Sequence, residues 1–159
     1  MPHAERTIRS YASEHFPGVF KRAQASVRVI RAERTFWEKA TILHHEAYRP
    51  AGTPQPVRYS RHYYDLARMA ASPVKAAALA DVQLLAEVVD FKDRFYPRSW
   101  ARYDLARPGS LRLVPDGEVL RAVTSDYAAM TNIIFGATVT FDEILNVLAK
   151  LEAEVNKGA

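Results

Sequence analysis

The stretch RTFWEKATILHHE, residues 34–46, decides how this chain is expected to fold. Its apolar residues recur every three or four positions, the spacing of one face of an amphipathic helix: Phe36, Ala40, Leu43 and Ala47. Thr35, with Glu38 three residues later, forms a capping-box pattern that predicts the helix start. The residue before a proline disfavours helical backbone, so the helix should end near Arg49 and Pro50.

Lys39 is the residue of this helix that needs a separate explanation. At about 100° of rotation per residue it lies roughly 60° from the apolar stripe, beside Ile42 and Leu43 rather than among charges. An isolated lysine is usually a solvated surface residue. Its place at the edge of an apolar face makes Lys39 a candidate functional cation.

A second helix, SRHYYDL at residues 60–66, follows a loop rich in proline. Ser60 is a favourable N-cap residue for it. Arg61, Asp65 and Arg68 then lie at i, i+4 and i+7, on one helix face. The ordinary interpretation is an exposed salt-bridge cluster, worth about 0.2–0.5 kcal/mol per pair. The alternative is that Asp65 is a functional carboxylate.

The remaining segments predict a mainly α protein: a bundle of five or six helices with one short N-terminal strand at Ser26–Ile30. Further helical segments are predicted at residues 74–96, with a stripe of Leu84, Val88, Phe91 and Phe95, and at 116–135. A final amphipathic helix is predicted after a capping box of Thr140 and Glu143. One strand needs sheet partners. Residues 1–32 are therefore expected to be the tail of a larger α/β unit, and residues 33–159 a helical domain.

Composition excludes several classes of site and protein. The 159 residues suit one domain and include no cysteine, which leaves no disulfide framework, thiolate or cysteine-based zinc site. His44 and His45 are adjacent and therefore point about 100° apart on a helix. They do not converge on one metal ion, and no metal ligands are predicted. Apolar runs are too short for a membrane span or signal peptide, which favours the cytoplasm.

Charge is distributed unevenly along the chain. Residues 1–68 contain 12 Lys or Arg and 6 Asp or Glu, a balance of +6, whereas residues 69–159 contain 10 and 12, a balance of −2. A basic half would attract phosphate, as in nucleotide or RNA binding. Arginine supplies 16 of the 22 cations, which is equally explained by genomic base composition.

The two central helices resemble a known family. RTFWEK at residues 34–39, followed after the proline-rich loop by SRHYYDL at 60–66, is similar to the C-terminal portion of the AbiEii/AbiGii nucleotidyltransferase toxins. These belong to bacterial type IV toxin–antitoxin and phage-abortive-infection systems. The likeness runs from about Ser10 to Asn156, and FKDRFY at 91–96 and DYAAM at 126–130 add to it with lower specificity.

The resemblance implies a nucleotide site. Lys39 matches a lysine, and Asp65 an aspartate, that the family's helical domain contributes to the nucleotide cleft, so both are expected to be catalytic. Lys39, Arg34, Arg61 and His62 are the expected nucleotide- or phosphate-binding residues. His62 stands where many relatives have an acidic residue. The family further implies Mg²⁺ and a nucleoside triphosphate (NTP), with transfer of a nucleoside monophosphate to an RNA or protein acceptor.

The sequence differs from the family pattern in the residues that precede Val27. Members have an α/β domain with a Gly-Ser or Gly-Gly turn and an Asp-x-Asp or Asp-x-Glu pair that binds Mg²⁺, and no such pattern precedes Val27. The chain is therefore expected to be the nucleotide-binding part of a toxin, inactive alone, with residues 1–32 a remnant of the α/β domain. The alternative is a non-catalytic helical module. Expected partners are a nucleotide, tRNA or another RNA, and an antitoxin or a separately encoded N-terminal half.

Overall fold

The N-terminal part of the chain is a β-hairpin. In a computed structural model that describes residues 3–134 and 139–157, β1 (His3–Arg9) pairs antiparallel with β2 (Gln24–Ile30). A short helix, α1 (Tyr11–His15), lies in the connection. The strand predicted at Ser26–Ile30 is confirmed within β2. Its partner β1 was not predicted, because the polar and charged residues of β1 are nearly all exposed and leave no alternating apolar pattern.

Six further helices make up the rest of the described chain, and the prediction of a mainly helical fold is confirmed. They are α2 (Ala32–Ala47), α3 (Ser60–Ala70), α4 (Val74–Leu79), α5 (Val82–Phe95), α6 (Gly117–Met130) and α7 (Phe141–Lys157). Two 3₁₀ turns span Tyr103–Leu105 and Thr131–Ile133. The segment predicted as helical at 116–135 thus ends as an α-helix at Met130, and Phe135 lies outside the described residues.

Helix α2 is the centre of the bundle. It packs against α3, α4 and α5, while α3 also packs against α6 and α7. The predicted apolar stripe is confirmed, since Phe36, Ala40 and Leu43 are fully buried and Ala47 nearly so. Trp37 is also fully buried, and its Nε1 donates a hydrogen bond to the Ala78 carbonyl of α4 at 3.2 Å. The apolar face of α2 therefore forms the core, and Trp37 also attaches α2 to α4.

The start of α2 differs from the prediction. The helix begins at Ala32 with Arg31 at the N-cap, and no side chain caps it. Thr35 lies inside the first turn, where its N–H already bonds the Arg31 carbonyl at 3.3 Å. Glu38 instead accepts from Arg34 Nε at 3.0 Å, an i,i+4 ion pair. The capping-box interpretation of Thr35 was wrong because helical bonding extends one turn further toward the N-terminus.

The stripe predicted for α5 holds only in its first half. Leu84 and Val88 are buried, whereas Phe95 is exposed and Phe91 only half-buried. Phe91 contacts the Arg34 guanidinium, 5.5 Å from its ring centre, and the Phe95 ring at 4.8 Å. The end of α5 therefore leaves the core. The capping box of α7 is confirmed, with Glu143 N–H donating to Thr140 Oγ1 at 3.3 Å and Thr140 N–H donating to Glu143 at 2.8 Å.

Candidate functional site

Three polar side chains meet where α2 and α3 pack. The Lys39 Nζ lies 2.7 Å from Asp65 Oδ2 and 3.0 Å from His62 Nδ1. We call these three residues the lysine cluster. His62 is buried, the Lys39 side chain is 19% exposed and that of Asp65 is 41% exposed. The structure thus brings Lys39 and Asp65 together in a position that solvent reaches, and Asp65 bonds to Lys39 rather than to Arg61.

His62 accepts a hydrogen bond from the lysine. Burial, with the nearby charges of Lys39 and Arg61, lowers the pKa of His62 to about 4, so its ring is neutral at pH 7. A neutral ring next to an ammonium group must present a lone pair at Nδ1, which places its proton on Nε2. His62 and Asp65 therefore hold the Lys39 ammonium from two sides. A third N–H remains for an external acceptor, since the described residues supply no other partner.

Two predicted phosphate ligands lie outside the lysine cluster. Arg34 is buried on α2, where Glu38 and the face of Phe91 hold its guanidinium. Arg61 is exposed on α3, and its charge acts on His62. Arg61 is free to turn toward an anion at the cluster, whereas Arg34 would first have to leave its partners. For both residues, phosphate binding remains a prediction.

Lys92 is a second half-buried lysine beside α2, and it was not predicted to be a site residue. Its Nζ donates to the Glu38 carbonyl at 2.9 Å, which places α5 beside the residue preceding Lys39. Burial, with a contribution from the charge of Lys39, lowers the pKa of Lys92 to about 8. In the sequence, only the similarity of the FKDRFY segment to the family includes Lys92. Lys92 and Lys39 thus place two cations close together beside α2.

The start of α3 is held by a side chain from α6. Ser60 was predicted to be the N-cap, but it is the first helical residue, and its buried hydroxyl faces Met130 Sδ at 3.7 Å. Asp126 performs the capping instead, accepting from the backbone N–H of Arg58 at 2.6 Å and of Ser60 at 2.8 Å. Because α3 carries His62 and Asp65, this contact helps to place the lysine cluster. It also gives the DYAAM segment a structural role.

Replacing Asp126 with alanine is expected to lower the free energy of unfolding by about 1–2 kcal/mol, the cost of losing a strong helix cap. Urea denaturation measures it. Asp90→Ala is the matched control, because Asp90 is exposed in the interior of α5 and should change stability by less than about 0.5 kcal/mol. Equal effects of the two substitutions would contradict the capping role.

A carboxylate at the end of α2 ties the helix to the loop that leads to α3. Glu46 is fully buried and accepts from Arg49 Nε and Nη2, both at 2.7 Å, and from Gln55 at 3.3 Å. His45 Nε2 lies 2.9 Å from the same carboxylate. Burial raises the pKa of Glu46, but the hydrogen bonds from His45 and Arg49 outweigh it and lower the value to about 2. Glu46 is therefore ionised and fixes the loop.

The described residues do not fit a magnesium ion. No group of three or more His, Asp or Glu side chains within 3–134 and 139–157 is arranged to hold a metal. Asp65, the carboxylate of the lysine cluster, is already paired with an ammonium group. His44 is used structurally, since its Nε2 donates to the Arg102 carbonyl at 2.9 Å and its Nδ1 accepts from Arg112 N–H at 3.0 Å. Mg²⁺ chemistry therefore cannot be assigned to these side chains.

The lysine cluster is suited to binding an anion. Lysine is a compact point charge that favours phosphate oxygens, and a carboxylate and an imidazole hold it in one orientation. A multiply charged phosphate would compete well against the single charge of Asp65. Lys92 and Arg61 add positive charge nearby. The arrangement can therefore bind and orient a phosphate group, with Asp65 released or retained as a hydrogen-bond acceptor.

Comparison with known proteins identifies the family. Among the helices in the described part of the chain, none has the length and apolar character needed to cross a bilayer. Comparisons with curated proteins and with solved structures found no match. The family model described as nucleotidyl transferase AbiEii toxin, type IV TA system, matches residues 1–147, which is most of the chain. The family prediction is confirmed: this chain belongs to the AbiEii family of nucleotidyltransferase toxins of type IV toxin–antitoxin systems.

Proposed function

We propose that this chain is the nucleotide-binding part of a nucleotidyltransferase toxin, acting in the bacterial cytoplasm on an NTP and an RNA or protein acceptor. The observation that supports this best is the contact of Lys39 with Asp65 at 2.7 Å, between side chains 26 positions apart. Membership of the AbiEii family implies a nucleotide substrate and a cognate antitoxin. The lysine cluster supplies a positioned cation for the triphosphate.

In this proposal Lys39 binds the triphosphate and stabilises charge that develops on it during transfer. Asp65 orients Lys39. When phosphate replaces Asp65 as the partner of the Lys39 ammonium group, the Asp65 carboxylate can accept a proton from the attacking hydroxyl. The family implies Mg²⁺, which would supply activation of the attacking hydroxyl and of the pyrophosphate leaving group. Because the described residues do not fit that metal, we propose that its ligands lie outside this chain and that the chain is inactive alone. Residues 1–32 would be a remnant of the α/β domain, and residues 33–159 the helical domain.

A transfer assay tests this proposal. The purified chain is incubated with Mg²⁺, labelled NTPs and tRNA, and no label should be transferred. Robust labelling that Lys39→Met abolishes would overturn the claim that the chain is inactive alone while supporting its nucleotide site. Adding an N-terminal half that carries the Gly-Ser and Asp-x-Asp motifs should restore transfer.

A second candidate function is a non-catalytic interaction module. The hairpin and its connection expose several large apolar side chains, which is typical of a binding surface: Ile8, Tyr11, Phe16, Val19 and Phe20. The partner would be an antitoxin or a second toxin half. Nucleotide binding discriminates the two functions, since NTP affinity that is absent or unchanged by Lys39→Met and Asp65→Asn would favour the interaction module.

A further inference from the structure

A cavity of about 260 Å³ lies next to the lysine cluster, between α2, the start of α3 and the end of α5. Three tyrosines, Tyr59, Tyr96 and Tyr103, line it together with Ile42 of α2. Ligand pockets usually measure roughly 300–1,000 Å³ for drug-sized molecules, so this one suits a smaller group such as a single aromatic ring system. We call it the tyrosine cavity.

The tyrosine cavity and the lysine cluster share their walls. The Tyr59 ring lines the cavity and also contacts His62 edge-on, with ring centres 4.8 Å apart. Lys92 lines the cavity and donates to the carbonyl of Glu38, the residue before Lys39. One molecule can therefore reach both sites if it carries a ring at one end and an anion at the other.

The chemistry of the walls matches such a molecule. The cavity combines tyrosine rings with two cations, Lys92 and Arg98, and no carboxylate belongs to its lining. Aromatic side chains stack on the π-face of any nucleobase, and nearby cations favour the attached phosphates. His45 also lines the cavity and keeps a buried Nδ1 that has no hydrogen-bond partner among the described residues.

Tyr96 distinguishes a binding cavity from ordinary core packing. Buried aromatic residues around two central helices are usually core, and Tyr103 and His45 fit that explanation. Tyr96 does not, because it is 64% exposed at the C-terminal end of α5 and still lines the cavity. An exposed ring at the mouth of an aromatic cavity contributes little to folding and is available to a ligand.

We propose that the tyrosine cavity receives the nucleobase of the NTP whose triphosphate contacts Lys39. This inference rests on the proposed nucleotide-binding function and adds to it a subsite for the base, with Tyr59 and Tyr96 as the stacking residues. Lys92 and Arg98, which line the cavity, would add positive charge for the attached phosphates. The base subsite then binds a free nucleoside without the aid of the triphosphate.

The experiment compares nucleosides with their triphosphates. Binding of adenosine, cytidine, guanosine and uridine is followed by saturation-transfer NMR, and binding of the four NTPs by calorimetry. We expect Tyr96→Ala to weaken the best nucleoside and its triphosphate by about fivefold or more, the effect of losing one stacked ring. Phe95→Ala is the matched control, because Phe95, the residue before Tyr96, is similarly exposed and does not line the cavity.

The Lys39→Met variant distinguishes the proposed base subsite from the proposed triphosphate site. Lys39→Met should weaken NTP binding and leave nucleoside binding unchanged. If NTP binding depends on Lys39 but not on Tyr96, the base subsite is wrong and the proposed function stands. Nucleoside binding that Tyr96→Ala weakens while Lys39→Met leaves NTP binding intact would support the cavity and count against the triphosphate site. Without any nucleoside or NTP binding by the unaltered chain, both are wrong.

Discussion

Replacing Glu46 with glutamine should lower the free energy of unfolding by about 3 kcal/mol at pH 7. The Glu46 carboxylate is fully buried and bonded by Arg49 through two nitrogens. Glutamine keeps the shape but removes the charge, which leaves the largely buried Arg49 guanidinium without its counter-ion. Breaking a buried ion pair in this way typically costs roughly 3–5 kcal/mol. Urea denaturation at pH 7 measures the loss.

The same substitution should flatten the acid side of the stability profile. The pKa of Glu46 is about 2 in the folded chain and 4.5 in the unfolded one. The unfolded state therefore binds the proton first as pH falls, and stability is present above pH 4.5 and lost toward pH 2. A shift of this size corresponds to about 3 kcal/mol, in agreement with the loss expected at pH 7. Glu46→Gln has no proton to bind and should lack this part of the decline.

Glu154→Gln provides the control for Glu46. Glu154 pairs with Lys75 at 2.9 Å, but both side chains are substantially exposed, so the pair should be worth less than about 1 kcal/mol. If Glu46→Gln costs no more than this control and retains the acid decline, the buried network does not hold the loop between α2 and α3. The lysine cluster would then have to be positioned by the helix packing and Asp126 alone.

The sequence predicted the parts of the fold that depend on local spacing. The stripe of Phe36, Ala40 and Leu43 is buried as expected because a period of three to four residues requires one buried face. Contacts across long separations were not predictable in this way. Asp126 caps α3 from 66 residues away, and Lys92 reaches the Glu38 carbonyl from 54. No sequence pattern around Asp126 or Lys92 indicates which residue it contacts.

The candidate site shows the same difference between what local spacing predicts and what tertiary packing determines. Spacing placed Asp65 on a face with Arg61 and Arg68, which suggested an exposed salt-bridge cluster. Tertiary packing turns Asp65 toward Lys39 instead, and only the family resemblance had paired these two residues. The surroundings of His62 were also hidden, because its low pKa depends on burial and on the charge of Lys39. The pairing of Asp65 with Lys39 and the pKa of His62 thus depend on the packing of α2 against α3.

Replacing Lys39 with methionine is expected to lower NTP affinity by about 10- to 100-fold, because a hydrogen bond between charged groups contributes roughly 1.5–3 kcal/mol. Methionine keeps the apolar stem and removes only the ammonium group. The free energy of unfolding should change by less than about 1 kcal/mol, since the pair with Asp65 is partly exposed. Calorimetric titration with NTP measures the affinity. Lys75→Met is the matched control: it removes another ion-paired lysine, on α4, and should leave NTP affinity unchanged.

A double-substitution cycle then assigns the role of Asp65. If Asp65 acts on the nucleotide by holding Lys39, Asp65→Asn should change NTP affinity in the presence of Lys39 and have no effect once Lys39 is methionine. The coupling free energy between the two residues would then be about 0.5–3 kcal/mol, the range for side chains in direct contact. Additive effects would show that Asp65 contacts the ligand independently of the lysine. Loss of NTP affinity in Lys75→Met equal to that in Lys39→Met would instead show that NTP senses only the overall positive charge, and the lysine cluster would lose its assignment as the triphosphate site.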